Sequence, residues 1–254
     1  MSLTARRNSA WSTADAIKSF IIDAGLGPGD PLPTETELCL ALGVSRSSVR
    51  EAVRTLASLD IVDVRHGHGS YVGRMSLAPL VNGLVFRLSL DAAHTLKSLR
   101  DVVHTRIALD LSVADELAGL HRDHRDEDLH HLVEEMRRHT AQGESFMEED
   151  CAFHGRLLRD VDNAIIGELA GAFWEIHTRA LPLLGISPPE DIAETVEAHG
   201  AILRALEAGD VDAYRIAIAD HYAPLQRAID RAVATREEAT APGGSAQPAR
   251  HHPA

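Results

Sequence analysis

The stretch from Gly25 to Gly73, GLGPGDPLPTETELCLALGVSRSSVREAVRTLASLDIVDVRHGHGSYVG, leaves little choice in how it can fold. Glycines and prolines break regularity as far as Pro33, and Thr34 then opens T-E-T-E, a capping box in which the hydroxyl caps a helix and Glu37 reaches back. That helix is short, because Gly43 ends it, and Ser45 is a good N-cap for the next. The second helix has one apolar face, Val49, Ala52, Val53 and Leu56, and Asp60 closes it in a left-handed conformation that Asp tolerates better than most residues. Ile61–Val64 and Ser70–Val72 read as two short strands joined by a loop containing Gly67 and Gly69. Upstream, Ile17, Phe20, Ile21 and Ala24 fall at helical spacing from a start near Thr13.

The second helix carries Arg46, Arg50 and Arg54 at intervals of four, a stripe roughly opposite its apolar face. Alone, such a stripe reads as a solvated helix surface. Behind a tight Leu42-Gly43-Val44 turn and ahead of a Gly-rich hairpin, it suits a DNA duplex: arginines near a helix start reach base edges while Ser45, Ser47 and Ser48 hold phosphate. The hairpin His66-Gly67-His68-Gly69 is small enough to enter a minor groove. The net charge of −13 does not exclude this reading. Residues 1–74 hold eight Lys/Arg and eight Asp/Glu, so the whole deficit lies behind them. A neutral head with clustered arginines can bind DNA, and the acidic remainder should face away from it.

The segment resembles the winged helix-turn-helix of the GntR family of bacterial transcription regulators, with PGDPLPTETEL, LGVSRSSVREAVRTL and VRHGHGSYV agreeing in register. The resemblance implies that Arg46 and Arg50 contact bases and backbone, that Ser45 and Ser47 hold phosphate, and that His66 and Gly67 form the wing-tip contact. Two positions depart from the family pattern. Thr36 stands where Arg is frequent, so a contact is weakened or made by the hydroxyl, and Asp60 stands where Gly is frequent, a change expected to alter only a helix end.

From Ser76 to about Arg236 the pattern is helical, in segments 77–90, 94–119, 126–141, 144–160, 164–184, 190–208 and 211–235. Short breaks between seven helices predict a bundle. The expected organisation is a flexible arm (1–11), a winged head (12–74), an all-α bundle for effector binding and dimerisation (75–236) and a disordered tail (237–254). Hydrophobic residues at 44% and charged residues at 25% fit a soluble globular protein. No apolar run approaches the roughly 18 residues of a membrane span, and nothing resembles an export signal. A cytoplasmic protein without a Cys39–Cys151 disulfide is therefore expected.

Of fifteen histidines, His121, His124, His130, His131 and His139 sit among charged residues like a solvated helix face, and His251 and His252 lie in the tail. Asp150 and His154 are different: at i and i+4 they share one helix face, as two metal ligands must. His199 precedes Gly209 by ten residues and His221 follows it by twelve, so a reversal at Gly209-Asp210 brings both to similar heights on antiparallel helices. Each histidine alone is equally well read as a satisfied residue between helices. One Asp and three His together suit a divalent transition ion, Zn²⁺ foremost with Ni²⁺ or Mn²⁺ as alternatives, one per chain and with coordination positions left open.

Helices behind such a head resemble the FadR subfamily and its FCD ligand-binding domain. The resemblance implies that Asp150, His154, His199 and His221 form the metal set, that Arg106 lines an effector cavity and that Asn163 lies near it. From the residues alone, Arg106 is equally a helix pair with Asp110, and Asn163 an ordinary N-cap. Together these features describe an effector-responsive repressor, a homodimer on a palindromic operator, controlled by a small organic acid. A metal sensor, a metal-dependent hydrolase with a DNA-binding head and a purely structural ion are the alternatives. No nucleophile or general-base motif accompanies the ligands, so no enzyme is expected.

Overall fold

A computed structural model describes residues 12–90, 95–186 and 191–240, with side chains to Arg236. The expectations for the arm at 1–11, for the end of the tail beyond Thr240, for His251 and His252 and for the breaks at Asp91 and 187–189 lie outside the described residues. The chain divides into two compact units between Asn82 and Gly83.

The first unit contains α1 (Thr13–Asp23), α2 (Glu35–Leu42), α3 (Arg46–Ser58), β1 (Val62–Arg65) and β2 (Gly69–Val72). Ser12 caps α1 in a capping box with Asp15, and Thr34 does the same for α2 with Glu37. Gly43 ends α2 at φ 67, a left-handed conformation that costs glycine little, and Ser45 accepts from Ser48 N to start α3 two residues later. The strands are antiparallel, pairing Val62 with Val72 and Arg65 with Gly69, and Pro31 adds a bridge to Tyr71. Ile17, Leu38, Val49, Leu56, Val62 and Val72 close the core beneath the helices and hairpin.

The strands sit about one residue from their expected limits, because Ile61 N still donates to Leu56 O and belongs to the helix exit. Asp60 takes φ 57, as the sequence suggests, but it does more than end a helix. Its carbonyl accepts from Met75 N at 2.9 Å and its carboxylate accepts from Ser76 N at 2.9 Å. Bonding with Ser76 holds the carboxyl below its usual range. The chain leaving the wing passes so close that a Cβ on Gly73 would overlap the Asp60 carbonyl.

α4 (Ala78–Leu90) crosses the division. The second unit continues with α5 (Thr95–Ser112), α6 (Ala114–His121), α7 (Glu127–Ala141), α8 (Met147–Leu157), α9 (Ala164–Leu183), α10 (Ile192–Ala208) and α11 (Val211–Thr240). The single segment expected over 94–119 is thus two helices. They separate at Val113, a buried residue (φ −108, ψ 12), and Ser112 Oγ bonds to Leu109 O on the preceding turn. No glycine or proline marks this break, which tertiary packing imposes. α11 runs past its expected end at 235, so 237–240 are helical instead of tail; Glu237, Glu238 and Ala239 are good helix formers. Gly209, again at φ 67, reverses the chain and lays α10 against α11.

Candidate metal centre and nucleic-acid interface

Four side chains from three helices converge inside the second unit. α8 supplies Asp150 and His154, α10 supplies His199 and α11 supplies His221, and one ligand atom from each lies within 4.8 Å of all the others. All three histidines are buried, His199 completely. His154 Nε2 and His221 Nε2 are 3.2 Å apart, His199 Nε2 and Asp150 Oδ1 3.0 Å, and His154 Nε2 and Asp150 Oδ1 3.8 Å. Donors bonded about 2.1 Å from a common ion have such mutual separations.

The protons argue for a cation. His199 Nδ1 meets Thr195 O at 2.8 Å, which fixes the ring proton on Nδ1 and leaves a lone pair on Nε2. His199 Nε2 lies 3.0 Å from Asp150 Oδ1 in a dry interior, and with the ring neutral two acceptors would face each other there unless a cation stood between them. Burial, with the Arg106 charge, pushes His154 well below the usual imidazole range; burial, with His199 and Arg106 nearby, does the same to His221. Burial pushes the Asp150 carboxyl up, but the surrounding imidazoles and Arg106 outweigh it and hold the group well below its usual range. Neutral imidazoles at His154 and His221 beside an ionised Asp150 are protonation states that a divalent metal requires.

Supporting residues orient the four. Trp174 Nε1, on α9, donates to Asp150 Oδ2 and leaves Oδ1 to the centre. Thr195 serves α10 and α11 together, because its carbonyl holds His199 and its hydroxyl reaches His221 O. Pro224 follows His221 by three residues and removes one helical hydrogen bond there. Such partners tune metal sites. The sequence reading missed Trp174 and Thr195, since nothing local ties an indole or a threonine to ligands on other helices.

Arg106, on α5, is 2% exposed, and its Nε and Nη2 have no hydrogen-bond partner. The helix pair with Asp110 does not form. Asp110 instead accepts from Tyr222 Oη at 2.5 Å on its carboxylate and from Tyr214 Oη at 3.1 Å on its carbonyl. The guanidinium lies 5.2 Å over the Tyr222 ring and remains charged, since neighbouring acidic groups more than offset its burial. Among the described residues nothing bonds its Nε or Nη2, so these two donors are available to an acceptor. His177, also buried, is pushed to about 3 by burial and the Arg106 charge, and its ring is therefore neutral. Asn163 does not join this group. It is exposed before α9, makes no side-chain cap bond and stands eleven residues ahead of Trp174, about 16 Å along the helix. Cys151 is exposed and Cys39 half-buried, and both are free thiols.

Of the five charged-face histidines, two are tethered. His130 Nε2 bridges to Glu207 at 2.6 Å, and His139 Nδ1 meets Ser145 O at 2.9 Å.

In the first unit the arginines and serines of α3 share an exposed surface with α2. Arg46 donates to Thr36 Oγ1 at 3.4 Å and Arg50 Nε to Glu35 Oε2 at 2.8 Å, while Arg54 is exposed. Ser45 Oγ lies 2.8 Å from Ser47 Oγ and 2.9 Å from Ser48 Oγ, a hydroxyl cluster at the positive end of the α3 dipole. His66 and Gly67 are exposed at the hairpin tip, where Gly67 takes φ 79, and Arg65 stacks 4.1 Å over the Tyr71 ring.

Comparison with known proteins bears on both units. The model for bacterial regulatory proteins of the gntR family matches residues 11–72, and that for the FCD domain matches residues 101–224. The "Putative transcriptional regulatory protein NedR" of Micromonospora viridifaciens is 42% identical over 116 residues, which cover 46% of this chain and 83% of that one. The galactonate operon transcriptional repressor of Escherichia coli K12 is 23% identical over 195 residues, 73% of this chain and 81% of the relative. Among solved structures, GntR of Streptococcus agalactiae superposes with a TM-score of 0.60 at 27% identity, covering 85% of this chain and 97% of the other. Among the described residues, no helix is long and apolar enough to cross a membrane.

Proposed function

The chain belongs to the gntR family of bacterial regulatory proteins, with an FCD domain behind its winged head, and from this we propose that it is a repressor controlled by a small carboxylate bound beside a metal ion. As a family member it is a DNA-binding transcription regulator, and its relatives are named for regulation and not for catalysis. Two heads on a homodimer would read two half-sites of a palindromic operator. Arg46 and Arg50 would contact bases and backbone, Ser45, Ser47 and Thr36 would support the backbone contacts, and His66 and Gly67 would occupy the minor groove.

The observation carrying the effector reading is the pair of orphaned buried groups: His199 Nε2 facing Asp150, and the Arg106 guanidinium. Asp150, His154, His199 and His221 would hold the ion, Zn²⁺ before Ni²⁺ or Mn²⁺, and a bound ion would offer open coordination positions to a carboxylate. Arg106 would pair with that carboxylate through Nε and Nη2, the two nitrogens left without a bond. The neutral His177, whose Nδ1 faces Phe173 O at 3.2 Å, would offer Nε2 as an acceptor to a hydroxyl of the effector. Asn163, exposed at the start of α9, is left out of this proposal. A relative named for a galactonate operon is in keeping with an organic acid as ligand. Regulation then requires the effector to bind the DNA-competent and DNA-incompetent states with different affinity.

Elemental analysis of protein purified without chelator tests the first step. About one divalent ion per chain is expected, and His199→Ala should lose it. Retention of the metal in that variant would remove His199 from the ligand set.

A further inference from the structure

The contact between Glu35 and Arg50 has no evident use in holding the head together. It joins the first residue of α2 to the middle of α3 at 2.8 Å, with side chains 42% and 59% exposed. An ion pair this exposed adds little stability. Its effect is on direction. The hydrogen bond uses Nε of Arg50 and leaves both terminal Nη groups unengaged. Those two groups are the ones that meet O6 and N7 of guanine in a bidentate contact.

We propose that Glu35 is a specificity-determining positioning residue, which holds Arg50 by Nε, aims its two Nη groups at a guanine edge and makes phosphate a poorer partner for that arginine. The second part follows from charge. A carboxylate beside the guanidinium repels an approaching phosphate, whereas a guanine edge presents neutral acceptors that Nη groups can satisfy while Nε remains held. A neighbouring contact has the same form without the charge: Thr36 Oγ1 accepts from Arg46 Nη2 at 3.4 Å. The α2 start thus sets the aim of α3 in two places. Glu35 touches no DNA in this scheme and acts through Arg50.

This inference rests on the DNA-binding reading, and its test separates the two. The native full-length chain first selects duplexes from a randomised pool; affinities are then measured for the best selected duplex and for a scrambled duplex of equal length and composition. In Glu35→Ala, the ratio of selected to scrambled affinity should fall about tenfold, with scrambled affinity unchanged or higher. Glu35→Gln, which keeps an acceptor of the same reach without its charge, should retain more of the ratio than Glu35→Ala. In an Arg50→Ala background, Glu35→Ala should leave the ratio unchanged. A ratio that does not move, or one that still falls without Arg50, overturns the positioning role. A native chain that selects no duplex overturns the DNA-binding reading as well.

Discussion

Arg50 and Arg106 both keep guanidinium nitrogens without a bond among the described residues, and their surroundings give them different tasks. Arg50 is exposed, and Arg50→Ala should weaken binding to a selected operator duplex by 1–3 kcal/mol, on the order of a bidentate base contact, with unchanged circular dichroism. Unchanged binding would take it off the DNA face. Arg106 is buried with two nitrogens that bond to nothing among the described residues, while nearby acidic groups keep it charged. Arg106→Leu should abolish carboxylate binding by calorimetry in a variant that keeps its helical circular dichroism; carboxylate binding retained in the folded variant would remove Arg106 from the effector site. At this scale the sequence was informative where chemistry is local. The i, i+4 spacing of Asp150 and His154 and the near-symmetric placing of His199 and His221 about Gly209 are legible without coordinates. Trp174, Thr195 and His177 are not, because their roles come from which face of one helix meets another.

Helix starts and turns carry local signals strong enough to read directly: the capping box at Thr34, the helix end at Gly43 and the reversal at Gly209, whereas the capping box at Ser12 emerged only in the structure. The boundary between α5 and α6 was not readable, since Val113 breaks the helix without a breaker residue. The wing exit shows a departure from family pattern with a structural consequence. Asp60 keeps a left-handed backbone and adds a carboxylate that holds Ser76, while Gly73 passes against its carbonyl. Gly73→Ala should destabilise the head by about 3 kcal/mol, as overpacking does, measured by urea unfolding of the head's transition. A loss below about 0.5 kcal/mol would mean that the wing exit yields freely, as only surface sites normally do.

For the whole molecule, the net charge of −13 lies entirely behind a neutral DNA-binding head. Acid should affect the bundle in a predictable direction. His177 stays neutral down to about 3 when folded, whereas an unfolded histidine takes up its proton near 6.5. Between those values the unfolded chain binds the extra proton, so stability falls as pH falls, by about 1.4 kcal/mol per pH unit from this residue. His177→Leu should flatten the dependence of unfolding free energy on pH between 6.5 and 4.5 by that amount; an unchanged slope would place the titration elsewhere. Asp150 does not act in this window, because its depressed carboxyl gives up its contribution only below the usual carboxylate range. The central claim is that a carboxylate entering beside Arg106 changes how tightly the head holds DNA. Its most direct measurement is operator-duplex affinity of metal-loaded protein, with and without saturating organic acid, in the native chain and in Arg106→Leu. The account predicts a shift of about tenfold or more in the native chain and none in the variant, a coupling of at least 1.4 kcal/mol. Organic acids that bind the native protein yet leave its operator affinity unchanged would contradict it.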